Sequence, residues 1–340
     1  MKTYARVLAL VSALTVVSMV GGCAPSPANR VTAYVSTDRE LAEPVLNQFT
    51  ASTGIEVDAV FDTEANKTSG LVNRLIAEAA RPRADILWNN ETAQLARLSD
   101  AGVIQLDLPQ DIRSRVSGGD GLSWRGFAAR ARVLVVRLDL PERAGDVDSL
   151  GALTDPKWKG RAALANPHFG STGMHFSALL IKWGEPRFRE WLRDLRANDV
   201  AILPGNAQVK DAVANGRYDF GFTDTDDVNE ALRDHKAVRL VIPDQGPSQL
   251  GVLIIPNAVA LIRGGPHPAN ARKLMSYLLS PEVEAALGQA DGAQIPIRNA
   301  VPGPALLPPL PSLHVMKVEY DEVGRSYRRM LQLVDQEWPP

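Results

Sequence analysis

The chain has 340 residues, 45% hydrophobic and 22% charged, with 37 basic and 39 acidic side chains. That composition excludes a disordered or collagen-like chain and leaves enough length for about two domains. The near-neutral balance lacks the clustered basic face that nucleic acid requires. One Cys excludes an intramolecular disulfide and a Cys-based zinc cage. There are six Tyr, and no two are adjacent.

The first 22 residues read as a targeting segment rather than as fold. Lys2 and Arg6 precede an uncharged run from Val7 to Val20. That run is too short for a membrane span and suits a signal-peptide core. It ends in Val20-Gly21-Gly22-Cys23, which resembles the lipobox of bacterial lipoproteins and implies a lipidated Cys23 as the mature N-terminus. Cleavage would leave 318 residues carrying 35 basic and 39 acidic side chains. Residues 23–30 then form the anchor and a short Pro/Ser linker.

Strands and helices alternate from there. Val31 to Val35 reads as a strand, and Glu40 to Ser52 as a helix with Leu41, Val45 and Phe49 on one face. Ile55 to Phe61 alternates as a strand, Thr68 to Ala80 is helical, Ala84 to Trp88 is a strand, and Thr92 to Ala101 is a helix. Three such units argue for an α/β lobe with a mainly parallel sheet. Phe127 to Leu138 is a long extended run. A short helix and turn at Leu150 to Trp158 leads to a strand at Arg161 to Ala165 and helices at Ser171 to Trp183 and Arg187 to Asn198. Val209 to Asn215 is a helix, Tyr218 to Phe222 a strand, and Val228 to Arg233 a helix. Gly251 to Ile262 is strand-rich and is expected to break at Pro256. Helices at Asn270 to Leu279 and Pro281 to Ala290, then a Pro-rich connection, precede a closing amphipathic helix. Its apolar stripe runs through Met316, Tyr320, Val323, Tyr327, Met330 and Val334.

No hydrolase, P-loop, zincin or dinucleotide motif occurs. His168 and His175 are the one His pair with any spacing of interest, and nothing suggests a nucleophile–base pair. Three segments after strands stand out instead. Asp224, Asp226 and Asp227 crowd together, which calls for a cation or full solvation, or for a helix cap from Asp226 or Asp227. Ser171, Thr172 and Gly173 lie where a helix starts, a natural anion seat or a simple cap. Thr68, with Lys67 and Ser69, sits in the corresponding place in the first lobe, and Trp88 either lines a cleft or is core.

These segments together resemble the solute-binding proteins of ABC importers, specifically the iron(III)-transport family. The resemblance rests on Tyr34-Val-Ser36, Ala84-Asp85, Asn90-Glu91, Asp155-Pro-Lys-Trp-Lys-Gly160, Asn166-Pro, Ala214-Asn-Gly216 and Ser280-Pro-Glu282. It implies a two-lobed α/β fold of the type II periplasmic binding proteins, each lobe a mainly parallel sheet flanked by helices, with ligand in the cleft. The lobes are expected at 31–127 plus about 256–340, and at 128–255. It also implies delivery to an ABC permease with a separate ATPase, and no enzyme activity. A monomer is expected, touching the membrane only through its anchor.

The iron binders of that family use two adjacent Tyr, a His and an acid. Here the matching positions carry Asp226-Asp227, Asp38, and Asn90 or Glu91. Tyrosinate-bound iron is therefore not expected. The family's anion seat matches Ser171, Thr172 and Gly173. Set against an acidic cluster across the cleft, this predicts a phosphonate or phosphate ester, with Ser36, Asp38, Thr68, Asn90, Glu91, Asp224, Asp226 and Asp227 completing the site. The alternative is a ferric or other metal ion on Asp38, Glu91, Asp226 and Asp227 with a co-bound anion. No resident cofactor is expected.

Overall fold

The computed structural model describes residues 29–62, 69–105, 123–140, 147–298 and 301–339. The targeting segment, Cys23, Lys67 and Thr68 lie outside them. No described helix is long and apolar enough to cross a membrane.

Strand β1 (Arg30–Val35), helix α1 (Arg39–Thr53), strand β2 (Glu56–Phe61), helix α2 (Ser69–Ala77), strand β3 (Ile86–Asn89) and helix α3 (Thr92–Asp100) follow the predicted alternation. β1 pairs in parallel with both β2 and β3. The long strand β4 (Arg125–Arg137) comes next. Then come β5 (Ala162–Ala165), α4 (Gly170–Trp183), α5 (Glu185–Ala197), β6 (Ala201–Leu203), α6 (Asn206–Ala214), β7 (Phe220–Asp224), α7 (Thr225–Arg233) and β8 (Val238–Val241). β5 is parallel to β6 and β7. Strand β9 (Ile254–Leu261), helices α8 (Pro268–Leu278) and α9 (Pro281–Gln289), and α10 (Tyr320–Glu337) complete the chain. β6 and β8 are short and carry no clear alternation, so the sequence did not reveal them.

The strand order is β2-β1-β3-β9-β4-β7-β5-β6, with β8 also on β4. β4 joins the two halves of this sheet. Its first part pairs antiparallel with β9, and its last part with β7 and β8. Pro256 does not break β9 as expected. It sits opposite Ala129 where the register of β4 shifts by a bulge, a place where the missing N–H costs nothing. Ala128 forms that bulge with φ of 38°. Its N–H donates to Glu284 at 3.1 Å, and its carbonyl accepts from Asn257 at 3.3 Å.

Core packing follows the predicted stripes. Phe49, Val45 and Leu46 of α1 pack with Trp88, Phe127 and Leu274. Trp88 is 1% exposed and donates to Asn257, so it is core rather than cleft wall. In the other half, Phe176, Phe188 and Trp191 interlock edge to face. Burying each such ring contributes roughly 2–3 kcal/mol.

The closing helix α10 lies across both halves, against α3 on one side and α4 on the other. Two glycines permit the close approach. A Cβ at Gly324 would meet the Ala93 carbonyl and the Ala96 methyl at 2.6 Å. A Cβ at Gly173 would run into the Tyr327 hydroxyl. Gly324→Ala should therefore destabilise by about 1–3 kcal/mol through overpacking, although Ala is normally the better helix former by about 1 kcal/mol. Thermal melts of the two proteins check the sign, and a higher midpoint for the variant would contradict this seating of α10.

Candidate ligand site

Each strand that ends at the junction hands over at once to a helix. Asp38 caps α1, Glu91 caps α3 and Asp224 caps α7, while α4 and α6 start beside them at Gly170 and Asn206. Open α/β sheets bind ligands at this end of their strands. Helix starts also favour negative charge, which accounts for part of the carboxylate crowding.

Arg130 and Arg132 stand two residues apart on β4, so their side chains leave one face. Both are buried, and both converge on Asp224. Arg132 Nη1 lies 2.6 Å from Asp224 Oδ1, and Arg130 Nε lies 3.0 Å from Oδ2. Ser171 donates its hydroxyl to Oδ2 at 2.6 Å, and Asn206 Nδ2 donates to the same oxygen at 2.9 Å. Arg132 also donates to Ser171 at 2.9 Å, to Asn206 Oδ1 at 3.2 Å and to Thr172 at 3.0 Å. The Arg132 guanidinium further stacks on Phe222 at 4.2 Å.

Asp226 and Asp227 follow on the first turn of α7. The Asp227 carboxylate accepts from the Thr223 hydroxyl at 2.9 Å and from the Asp224 N–H at 3.4 Å. It is a capping-box residue, and α7 starts three residues earlier than predicted. Asp226 keeps one buried carboxylate oxygen, Oδ1, without a hydrogen-bond partner. Its Cβ lies near Gly292, which also adjoins Leu41 of α1. Carboxylate oxygens of Asp224, Asp226 and Asp227 lie within 4.8 Å of one another. Asp224 is engaged by Arg132, Ser171 and Asn206, and Asp227 Oδ2 is engaged by its cap, which leaves Asp226 the least occupied by protein donors.

Charge sorts the three acids. Burial opposes the Asp224 charge, but Arg132 and Arg130 hold its carboxyl below the ordinary range. Burial, reinforced by the Asp224 charge, pushes Asp226 up to about 6. Burial, then Asp226 and Asp224, push Asp227 well above the carboxylate range.

The other predicted residues divide. Asp38 and Glu91 do join the site, since their charges act on Arg130 together with Asp224 and Asp226. Asn90 supplies its backbone carbonyl to Arg130 at 3.1 Å, and its side-chain oxygen is buried without a partner. Ser36 is buried and accepts from Asn89 at 3.4 Å. Ser171 and Thr172 are present but engaged, and Gly173 serves packing against α10. The acidic cluster is not across a cleft from Ser171, because Asp224 touches it. His168 bonds Asn166 and Asp335, whereas His175 is buried against Phe222, so they form no metal pair.

Sequence reasoning missed Arg130, Arg132 and Asn206. The signal was in Phe127 to Leu138, where two Arg interrupt a strand with apolar neighbours on both sides. A central strand cannot bury them without acids.

The Asp226 carboxyl titrates near 6 in the fold and near 4 in the unfolded chain. The folded state thus holds a proton that the unfolded state loses, and stability falls as pH rises from about 4 to 6. Above that, the full penalty applies. Ligand-free Asp226→Asn should therefore exceed the original in stability by about 1–2 kcal/mol at neutral pH, with the gap closing towards pH 4. Melts across that range measure it, and a gap that does not vary with pH would refute the assignment.

A model for bacterial extracellular solute-binding proteins matches residues 31–292. The major ferric iron-binding protein of Neisseria meningitidis serogroup A is 27% identical over 340 residues, 96% of each chain. Iron uptake protein A1 of Synechocystis is 26% identical over 285 residues, 79% of this chain and 75% of the relative. Iron-bound HitA from Pseudomonas aeruginosa superposes with a TM-score of 0.79 at 25% identity, covering 91% of this chain and 99% of that one. The apo ferric ion-binding protein A of Pasteurella haemolytica shares the fold at a TM-score of 0.80 and 22% identity, covering 91% and 98%. The architecture is thus the two-lobed α/β fold of type II periplasmic binding proteins, as the sequence led one to expect. The match across 31–292 makes this chain a member of the bacterial extracellular solute-binding proteins.

Proposed function

We propose that the chain is the extracytoplasmic solute-binding component of an ABC importer and that its cargo is a ferric ion held by carboxylates. One observation carries the reading. The charges of Asp38, Glu91 and Asp226 all bear on Arg130, and Asp226 keeps a buried oxygen without a partner. Carboxylate oxygens are hard donors suited to a highly charged cation. The similarity to ferric iron-binding and iron uptake proteins supports it.

The geometry favours this over the phosphonate or phosphate ester expected first. That ligand needs the Ser171 hydroxyl as a donor, and Ser171 already donates to Asp224, while Arg132 spends donors on Asp224, Ser171 and Thr172. Asp227 leaves the metal set because its cap holds it. The remaining parts of the reading follow from the family resemblance and the sequence: Cys23 as lipid anchor, a separate permease and ATPase, a monomer, and binding without catalysis. The lobe division at 31–127 plus about 256–340 against 128–255 is supported by the passage of β4 between the sheet halves.

The test is a titration of purified residues 24–340 with ferric nitrilotriacetate, followed by metal analysis after desalting. One equivalent of iron is expected, with Asp226→Asn and Glu91→Gln each weakening retention at least about tenfold. The bound form should lack the visible tyrosinate charge-transfer band, because Tyr34, Tyr320 and Tyr327 bond Glu78, the Ile254 carbonyl and the His168 carbonyl. Iron retention unchanged in both variants would overturn the site.

A further inference from the structure

We propose that Asp224 is an internal anion that plugs an oxyanion seat and makes this chain reject free phosphate, phosphonate and carbonate. Three donors from β4, α4 and α6 hydrogen-bond this one carboxylate, Arg132 at 2.6 Å, Ser171 at 2.6 Å and Asn206 at 2.9 Å, and the Arg130 guanidinium adds an ion pair at 3.0 Å. Charged and hydroxyl donors around a buried point, beside helix starts, are what a tetrahedral oxyanion needs. Here the anion comes from the end of β7, and Asp224 is 3% exposed.

Arg132 also donates to the Thr172 hydroxyl oxygen at 3.0 Å, which ties the start of α4 to the same guanidinium. A tethered carboxylate competes at a high effective concentration, which a free anion cannot match. An arriving anion would also meet the charges of Asp38, Glu91 and Asp226, which already act on Arg130. If the ferric reading holds, the ion enters this site without a free co-anion. That corollary rests on the ferric reading, whereas the rejection of anions does not.

The experiment uses no metal, so its outcome is separate from that of the iron titration. Inorganic phosphate is titrated into the original protein, Asp224→Ala and Asp224→Asn, by calorimetry and thermal melts at constant ionic strength. The original protein should show no binding up to about 10 mM. Asp224→Ala should bind phosphate at least about tenfold more tightly than that limit, and phosphate should raise its melting midpoint. Asp224→Asn keeps a good capping residue, so it should fold and show a smaller gain. Where Asp224→Ala folds only with phosphate and not with chloride, that rescue supports the plug. Submillimolar phosphate binding by the original protein would overturn it. So would the absence of any gain or rescue in both variants.

Discussion

Two guanidinium groups buried on the strand that joins the sheet halves set the terms for the whole site. Arg130 and Arg132 sit where β4 passes from β9 to β7, beyond the reach of bulk water. A buried cation without a partner costs several kcal/mol, so each must find an acid. Asp224 answers both, and in doing so fixes the starts of α4, α6 and α7 through Ser171, Asn206 and its own cap. Truncating either partner would leave an uncompensated buried charge, worth about 3–5 kcal/mol. The ion cluster is thus structural first, and the ligand chemistry has to use what it leaves over.

The charge balance shows what is left. Five carboxylates and two guanidinium groups meet here. Even with Asp227 protonated, as its raised pKa favours, four negative charges face two positive ones. Helix starts offset part of that excess, each by roughly half a charge. Among the acids other than Asp227, the remainder falls on Asp226, which keeps a buried oxygen without a partner and is pushed up by burial and the Asp224 charge. Such a site gains from a cation and loses from an anion. The stability lost at Asp226 in the empty protein is the usual trade of a binding site for function.

Much of the fold was legible because periodicity and burial coincide. Leu41, Val45 and Phe49 recur at helical spacing, and Val45 and Phe49 are buried in the core, with Leu41 half-buried against it. Asp38, Glu91 and the Asp224 cluster were legible because acids just after a strand are conspicuous. Their roles were less so. Whether Asp224 or Asp226 caps α7 turns on where β7 ends, and a two-residue change there exchanges ligand for cap. Ser171 and Thr172 matched a familiar anion seat, but the carboxylate that fills it lies 53 residues away in sequence. Pairing at that distance leaves no local trace. The arginines carry no such local mark, because the extended run of Phe127 to Leu138 does not reveal which distant acid neutralises them.

The position of the arginines also explains how one site can answer to two halves. Asp38 and Glu91 stand just before α1 and α3, whereas Asp224 and Asp226 come from β7 and α7. β4 is shared, so Arg130 keeps its place between the two groups of acids. Asp224 pairs with β4 in register with Arg132, whereas Arg130 lies in the β9-paired part and also donates to the Asn90 carbonyl beside Glu91. The bulge at Ala128 interrupts the β9-paired part of that strand, ahead of the β7-paired part that begins at Arg132, with its polar groups held by Glu284 and Asn257. A cation bridging Asp226 to Asp38 or Glu91 would therefore join acids that the chain brings to β4 from its two sides, with Arg130 already held to both through Asp224 and the Asn90 carbonyl.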